Sequence, residues 1–157
     1  MLAFKVPGYE MFEVENVVFD FNGTLAVDGV LVNGVAEKIK ALSARGVAIY
    51  VLTADTFGSA AQQCRDLPLK IRIFSSENIA EKKKQFVQEI GPVATIAVGN
   101  GRNDLAMFAE SGLSICIMGR EGCCAQSMNA ADIIVNDPGD ALDLLLKNDR
   151  IIATLRT

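Results

Sequence analysis

Histidine is absent from all 157 residues of this chain. Its absence removes Ser-His-Asp and Cys-His nucleophile machinery, His-ligated zinc and His proton relays. Any catalysis must run on carboxylates, lysine, hydroxyls, thiols or a bound metal ion. The sequence also has no Cys-x-x-Cys pair for zinc. Its four cysteines, at 64, 116, 123 and 124, include an adjacent pair and make a poor disulfide framework. They read as reduced thiols of a cytoplasmic protein. There is no basic excess: the net charge is −4, which argues against a nucleic-acid partner. No apolar run approaches the ~18 residues of a membrane span, so no membrane partner is expected. The first residues, MLAFKVPGYEMFEVEN, lack the basic-then-apolar order of a secretion signal.

Half the residues are apolar and 22% are charged, the balance of a globular chain. A length near 150 residues predicts one domain over 1–157, able to bury roughly two thirds of its unfolded surface. Short β-rich runs alternate with amphipathic stretches. Strands are expected at 17–21, 47–52, 71–74, 93–98, 113–117 and 133–135. Helices are expected at 35–44 (Asn33 as N-cap, Gly46 at the stop), 59–67, 76–90, 103–111, 121–130 and 141–155. Residues 2–6 and 9–14 suggest an added edge hairpin. Repeated strand–helix alternation predicts an α/β fold with a doubly wound, mostly parallel sheet.

Ligands of such sheets bind beyond the carboxyl ends of the strands. Asp20 ends the first strand there and Thr53 the second. Gly99-Asn100-Gly101 ends a later one, with Asn103 and Asp104 just beyond. A lysine-bearing helix precedes that later strand. Each signal has an ordinary structural reading: a turn at Asn22-Gly23, a hydroxyl satisfying local backbone, a solvated lysine face. The Gly99–Asp104 loop lacks the third glycine of a dinucleotide fingerprint and follows the wrong strand. Asp55 reads either as an N-cap for the helix at Ser59 or as a direct phosphate contact. Arg102 reads equally as a substrate contact or a solvated side chain.

Taken together, Asp20-Phe21-Asn22-Gly23-Thr24, Thr53, a lysine from Lys82-Lys83-Lys84, and Gly99-Asn100-Gly101-Arg102-Asn103-Asp104 resemble the ordered motifs of the haloacid dehalogenase superfamily. The likeness covers nearly the whole chain. It is nearest to the small soluble P-type-ATPase-like phosphatases, and Thr53-Ala54-Asp55 adds to it. The resemblance implies a three-layer Rossmann-like core and a magnesium-dependent phosphomonoester hydrolase, with Asp20 as nucleophile forming an aspartyl-phosphate. It implies catalytic roles for Asp20, Asn22, Thr53 and Lys83, substrate contacts from Thr53, Ala54, Lys83 and Asn103, and magnesium held by Asp20, the Asn22 carbonyl, Asn100 and Asp104. Lys83 is preferred over Lys82 and Lys84 because Lys83, Val87 and Ile90 share a face at i, i+4, i+7. The expected partner is a small phosphorylated substrate or a phosphoprotein.

Two departures bear on rate. The family's phosphatases carry an acid/base aspartate where this chain has Asn22, and such help is worth roughly 10²–10⁴-fold. Slow turnover is therefore expected. Asn100 stands where the family usually has a charged metal ligand. The intervals Asp20–Thr53 and Thr53–Lys83 have room for one helix and one strand each, and none for a cap domain. Ala26–Leu31, with an Asp28-Gly29 turn, looks like the family's small flap hairpin. Capless members often gate substrate with a neighbouring subunit, so a homo-oligomer is expected. The competing function is a phospho-acceptor or regulatory binding module with little turnover. A signalling receiver domain would place its acidic residues in a different order.

Overall fold

A computed structural model of the chain describes residues 1–55 and 58–157. Its centre is a five-residue strand, β3 (Asn16–Asp20), buried along its whole length. An apolar run buried on both faces is what a central parallel strand requires. Odd and even positions serve different layers: Val17 and Phe19 enter one apolar cluster and Val18 enters another.

Five further strands complete the sheet: β6 (Ala48–Thr53), β7 (Lys70–Ile73), β8 (Thr95–Gly99), β9 (Leu113–Ile117) and β10 (Ile133–Val135). Their order is β10-β9-β8-β3-β6-β7, with every pairing parallel. The chain first winds from β3 out through β6 to β7, then returns to β8 on the other side of β3. Such a reversal opens a crevice at the carboxyl ends of the two central strands, where Asp20 and Gly99 stand.

Among the described residues seven α-helices cover the sheet: α1 (Val35–Ser43), α2 (Ser59–Gln63), α3 (Ile79–Ile90), α4 (Leu105–Glu110), α5 (Ala125–Ala130), α6 (Pro138–Leu146) and α7 (Asn148–Leu155). Val35, Ile39 and Leu42 of α1 pack with Leu142 and Leu145 of α6 on one face. Phe86 and Val87 of α3 pack with Met107 and Phe108 of α4 on the other. Two small hairpins complete the fold. β1 (Leu2–Lys5) and β2 (Met11–Val14) pair only with each other, so the expected edge hairpin is a separate two-stranded unit. It joins the core through Leu2, Phe4 and Val14, with the Phe4 and Phe12 rings stacked 5.2 Å apart. β4 (Ala26–Val27) and β5 (Val30–Leu31) form the expected flap. Asp28 and Gly29 both have positive φ, 51° and 75°, as a two-residue primed hairpin turn demands.

Several boundaries depart from the sequence reading. Gly34, at φ 82°, takes the N-cap of α1 in place of Asn33. The left-handed Asn78 delays the start of α3 to Ile79. Only Ser59–Gln63 is helical ahead of Pro68. The expected helix at 121–130 begins at Ala125, leaving Cys123 and Cys124 outside the helical turns and half-buried. The closing helix breaks at Lys147 into α6 and α7. Among the described residues, no helix is long and apolar enough to cross a membrane.

Candidate active site

The nucleophile loop is a tight turn off the end of β3. Thr24 and Ala26 donate backbone hydrogen bonds to the Phe21 carbonyl, at 3.2 and 3.0 Å, and Gly23 donates to Ala26 at 2.8 Å. Gly23 sits at φ 77°, and a Cβ there would lie 2.3 Å from Asn100 Nδ2. Only glycine brings the two loops this close.

Lys83 stands at the centre. It is 1% exposed, and its Nζ donates to Asp20 Oδ1 at 2.7 Å, Asp104 Oδ1 at 2.7 Å and Asn103 Oδ1 at 3.1 Å. Of the three consecutive lysines, it is Lys83 that enters the site; Lys82 bonds the Ser75 hydroxyl instead. The inward face of α3 carries Lys83, Phe86 and Val87, an i, i+3, i+4 set that aims its one cation along the core side.

Asp104 is fully buried beneath the loop. Its Oδ2 accepts from the backbone N–H groups of Asn100 and Gly101, both at 2.9 Å. A Cβ on Gly99 would lie 2.4 Å from that same oxygen, so a glycine there leaves room for the carboxylate. Both Asp104 oxygens are thereby engaged, and Asp104 is not part of the cavity wall. Asn100 does line the cavity. Its Oδ1 accepts from Thr24 Oγ1 at 3.2 Å, while its Nδ2 donates to the Gly122 carbonyl at 3.1 Å.

A cavity of about 390 Å³ opens over this floor, lined by Asp20, Asn22, Thr53, Ala54, Lys83 and Asn103 among others. The structure thus gathers the sequence-derived candidates around one opening, with Asp104 behind it. Thr53 Oγ1 accepts from the Asp55 N–H at 3.0 Å, which leaves the hydroxyl hydrogen to point elsewhere. Asp55 Oδ2 accepts from Ser59 Oγ at 2.6 Å and from the Ala60 N–H at 2.8 Å. That is the helix-capping role read from its spacing, although Gly58 occupies the formal cap position. A second cleft of about 1060 Å³ lies between the flap, the 117–120 loop and the start of α6, with Gly23 and Thr24 in its lining.

Thr24 carries more of the site than its place in the motif suggested. Its hydroxyl lies 3.4 Å from Asp20 Oδ2 and 3.2 Å from Asn100 Oδ1. One hydroxyl hydrogen cannot satisfy both acceptors. The same shortfall exists in charge, since Asp20 and Asp104 face a single lysine. Burial, and then the Asp104 carboxylate, push the Asp20 pKa up to about 7, against the opposing pull of Lys83. Burial also works against the Lys83 charge, but Asp20 and Asp104 outweigh it and its pKa is raised.

Under-satisfied oxygens and uncompensated negative charge on one side of the cavity are what a hard cation fits. Among the described residues no group of three His, Cys, Asp or Glu could hold a metal. The available donors are the Asp20 carboxylate, the Asn22 main chain and the Asn100 side-chain amide. Few protein ligands, all oxygen, with the rest of the shell left to water and substrate, is a set magnesium accepts.

No family model matches the sequence. The uncharacterized protein MJ0073 of Methanocaldococcus jannaschii is 40% identical over 85 residues, 53% of this chain and 91% of that protein. A soluble P-type ATPase-like phosphatase of the same organism is 25% identical over 126 residues; these span 79% of this chain but 46% of that protein. Among solved structures, 3-deoxy-D-manno-octulosonate 8-phosphate phosphatase from Moraxella catarrhalis, in complex with magnesium, phosphate and KDO, has a TM-score of 0.73 at 16% identity, covering 92% of this chain and 94% of that one. A putative HAD family hydrolase from Streptomyces avermitilis has a TM-score of 0.66 at 23% identity, covering 83% and 88%. This chain belongs to one family with MJ0073, and its fold is that of the haloacid dehalogenase superfamily.

Proposed function

We propose that the chain is a magnesium-dependent phosphomonoester hydrolase that works through an aspartyl-phosphate on Asp20. The observation that carries the reading is the Lys83 ammonium held between the Asp20 and Asp104 carboxylates, 2.7 Å from each, at the floor of an open cavity. A carboxylate fixed by a cation at a cavity floor is oriented for attack on phosphorus, and the cation then faces the oxygens where charge gathers. The phosphatase relative and the phosphatase-type structural neighbours support the same chemistry.

In the first step an Asp20 oxygen attacks phosphorus and the bond to the ester oxygen breaks. The departing oxygen takes its proton from water, because Asn22 has none to give. Lys83, the Thr53 hydroxyl and the Asn103 side chain hold the phosphoryl oxygens, and Ala54 shapes the wall beside them. In the second step water attacks phosphorus, the Asp20–phosphorus bond breaks and inorganic phosphate leaves. Asp20, the Asn22 carbonyl and Asn100 would hold magnesium, which supplies charge compensation between carboxylate and phosphate. Asp104 holds the Asn100–Gly101 backbone in place for that purpose.

Without an acid/base carboxylate at position 22, esters with good leaving groups are the favoured substrates. The test is phosphate release from an aryl phosphate with and without magnesium. Sustained, magnesium-dependent release supports hydrolysis. One equivalent of acid-stable protein-bound phosphate with no sustained release favours the phospho-acceptor reading instead.

A further inference from the structure

The sheet ends at β7, and among the described residues no strand pairs with its outer side. Phe74 donates its N–H to the Thr53 carbonyl of β6 at 2.9 Å. Successive residues of a parallel strand turn their backbone groups to opposite sides, so Ile71 and Ile73 point theirs outward. An open edge of this kind is a template for another extended chain. Its side chains select which chain fits. On one face Lys70 lies 5.6 Å over the Tyr50 ring and Arg72 lies 5.8 Å over the Phe86 ring. Lys82 of α3 bonds the Ser75 hydroxyl just past the end of β7. Among the described residues no ion pair joins Lys70, Arg72 or Lys82 to a carboxylate. Glu77 and Glu81 are the acidic residues of the same stretch of chain, and both are exposed. On the other face Ile73 is 51% exposed. Ile73 is also the ladder partner of Thr53, which lines the cavity over Asp20.

We propose that the β7 edge docks an extended segment of a phosphoprotein, acidic residues alternating with apolar ones, and so delivers its phosphorylated residue to Asp20. The segment adds a strand to the sheet. Its backbone pairs with Ile71 and Ile73, its carboxylates face Lys70, Arg72 and Lys82, and its apolar side chains cover Ile73. A second copy of β7 fits the edge poorly. Two such strands joined antiparallel would gather both sets of Lys70 and Arg72 on one face of the sheet, and cations so placed keep like strands apart. Strands lie about 4.8 Å apart, so the added strand runs about 10 Å from β6. Extended chain covers that span in about three residues, which places the phosphorylated residue about that far outside the paired stretch. The docking edge stands on strand geometry and charge alone; the delivery of a phosphorylated residue rests on the phosphatase reading.

The probes are phosphoserine peptides flanked on both sides by alternating Glu and Val or by alternating Lys and Val, and the Glu peptide without phosphate. Hydrogen exchange on the full chain reads the edge: the unphosphorylated Glu peptide is expected to protect the Ile71 and Ile73 amides. Phosphate release with magnesium reads delivery: kcat/KM should be about tenfold higher for the Glu phosphopeptide than for the Lys one. Lys70→Glu combined with Arg72→Glu should abolish that preference and leave aryl phosphate turnover unchanged. N-methylation of the flank amides should abolish it too, since it removes strand pairing and keeps the charges. Unprotected amides, equal kcat/KM for the two phosphopeptides, or a preference that survives the double substitution or the methylation overturns the proposal. So does protection of the same amides in peptide-free protein that grows with protein concentration, which assigns the edge to a second copy. No phosphate release from any ester, aryl phosphate included, removes the phosphatase reading and the delivery with it, while amide protection still decides the docking edge.

Discussion

Lys83 has three N–H donors and, without substrate, three acceptors, Asp20, Asp104 and Asn103, so holding a phosphoryl oxygen requires it to release one of them. Removing it would leave two buried carboxylates facing each other. Lys83→Met is expected to lower unfolding free energy by about 3 kcal/mol, read by urea titration at pH 8 without metal. A change within experimental error would mean that the carboxylates do not depend on that ammonium. Asn22 is different in kind: its side chain is exposed at the cavity rim and supports no packing. Restoring a carboxylate there should raise the hydrolysis rate. Asn22→Asp is expected to accelerate aryl phosphate turnover about 10²–10⁴-fold, and an unchanged rate in a folded variant would assign proton transfer to another group.

The layer of α1 and α6 is fastened from above by one cation. Lys38 of α1 donates to the Gly139 carbonyl at 3.1 Å and pairs with Asp143 at 3.0 Å, while Arg150 of α7 lies 3.7 Å from the same carboxylate. The Lys38 hydrogen bond, aided by the charges of Lys38, Lys147 and Arg150, holds the Asp143 pKa below its ordinary value. A folded-state pKa below the unfolded one adds stability above the unfolded pKa, and that stability is lost as pH falls through the folded value. Asp143→Asn should therefore cost about 0.5–1 kcal/mol at pH 7 and nothing once pH is well below 3.8. Thermal midpoints of both proteins across pH 2–7 check this; a constant difference down to the lowest pH would contradict the ion-pair origin. At this scale the sequence was legible where apolar period and strand ends spoke together, as in β3, β8 and β9. It was less legible at helix ends. Gly34 and Asn78 take left-handed conformations whose choice over a side-chain cap depends on the tertiary approach of each helix. The break at Lys147 leaves the apolar pattern of α6 and α7 unmarked.

For the whole molecule, one parallel sheet with a strand reversal beside β3 brings residues from four separated segments to one opening. Asp20, Thr53, Lys83 and Asn103 could be picked out in advance because each stands at a strand end or on an inward helical face. The bridging of Thr24 between Asp20 and Asn100, and the use of both Asp104 oxygens inside the protein, could not be read that way. They depend on distances between segments some 76 and 21 residues apart. The central claim is that Asp20 is the phosphorylated nucleophile. The most direct measurement is phosphate release from an aryl phosphate with magnesium by the wild type and by Asp20→Asn, with circular dichroism confirming that both are folded. The expected result is sustained release by the wild type and none above background by Asp20→Asn; wild-type turnover by the folded variant would contradict it.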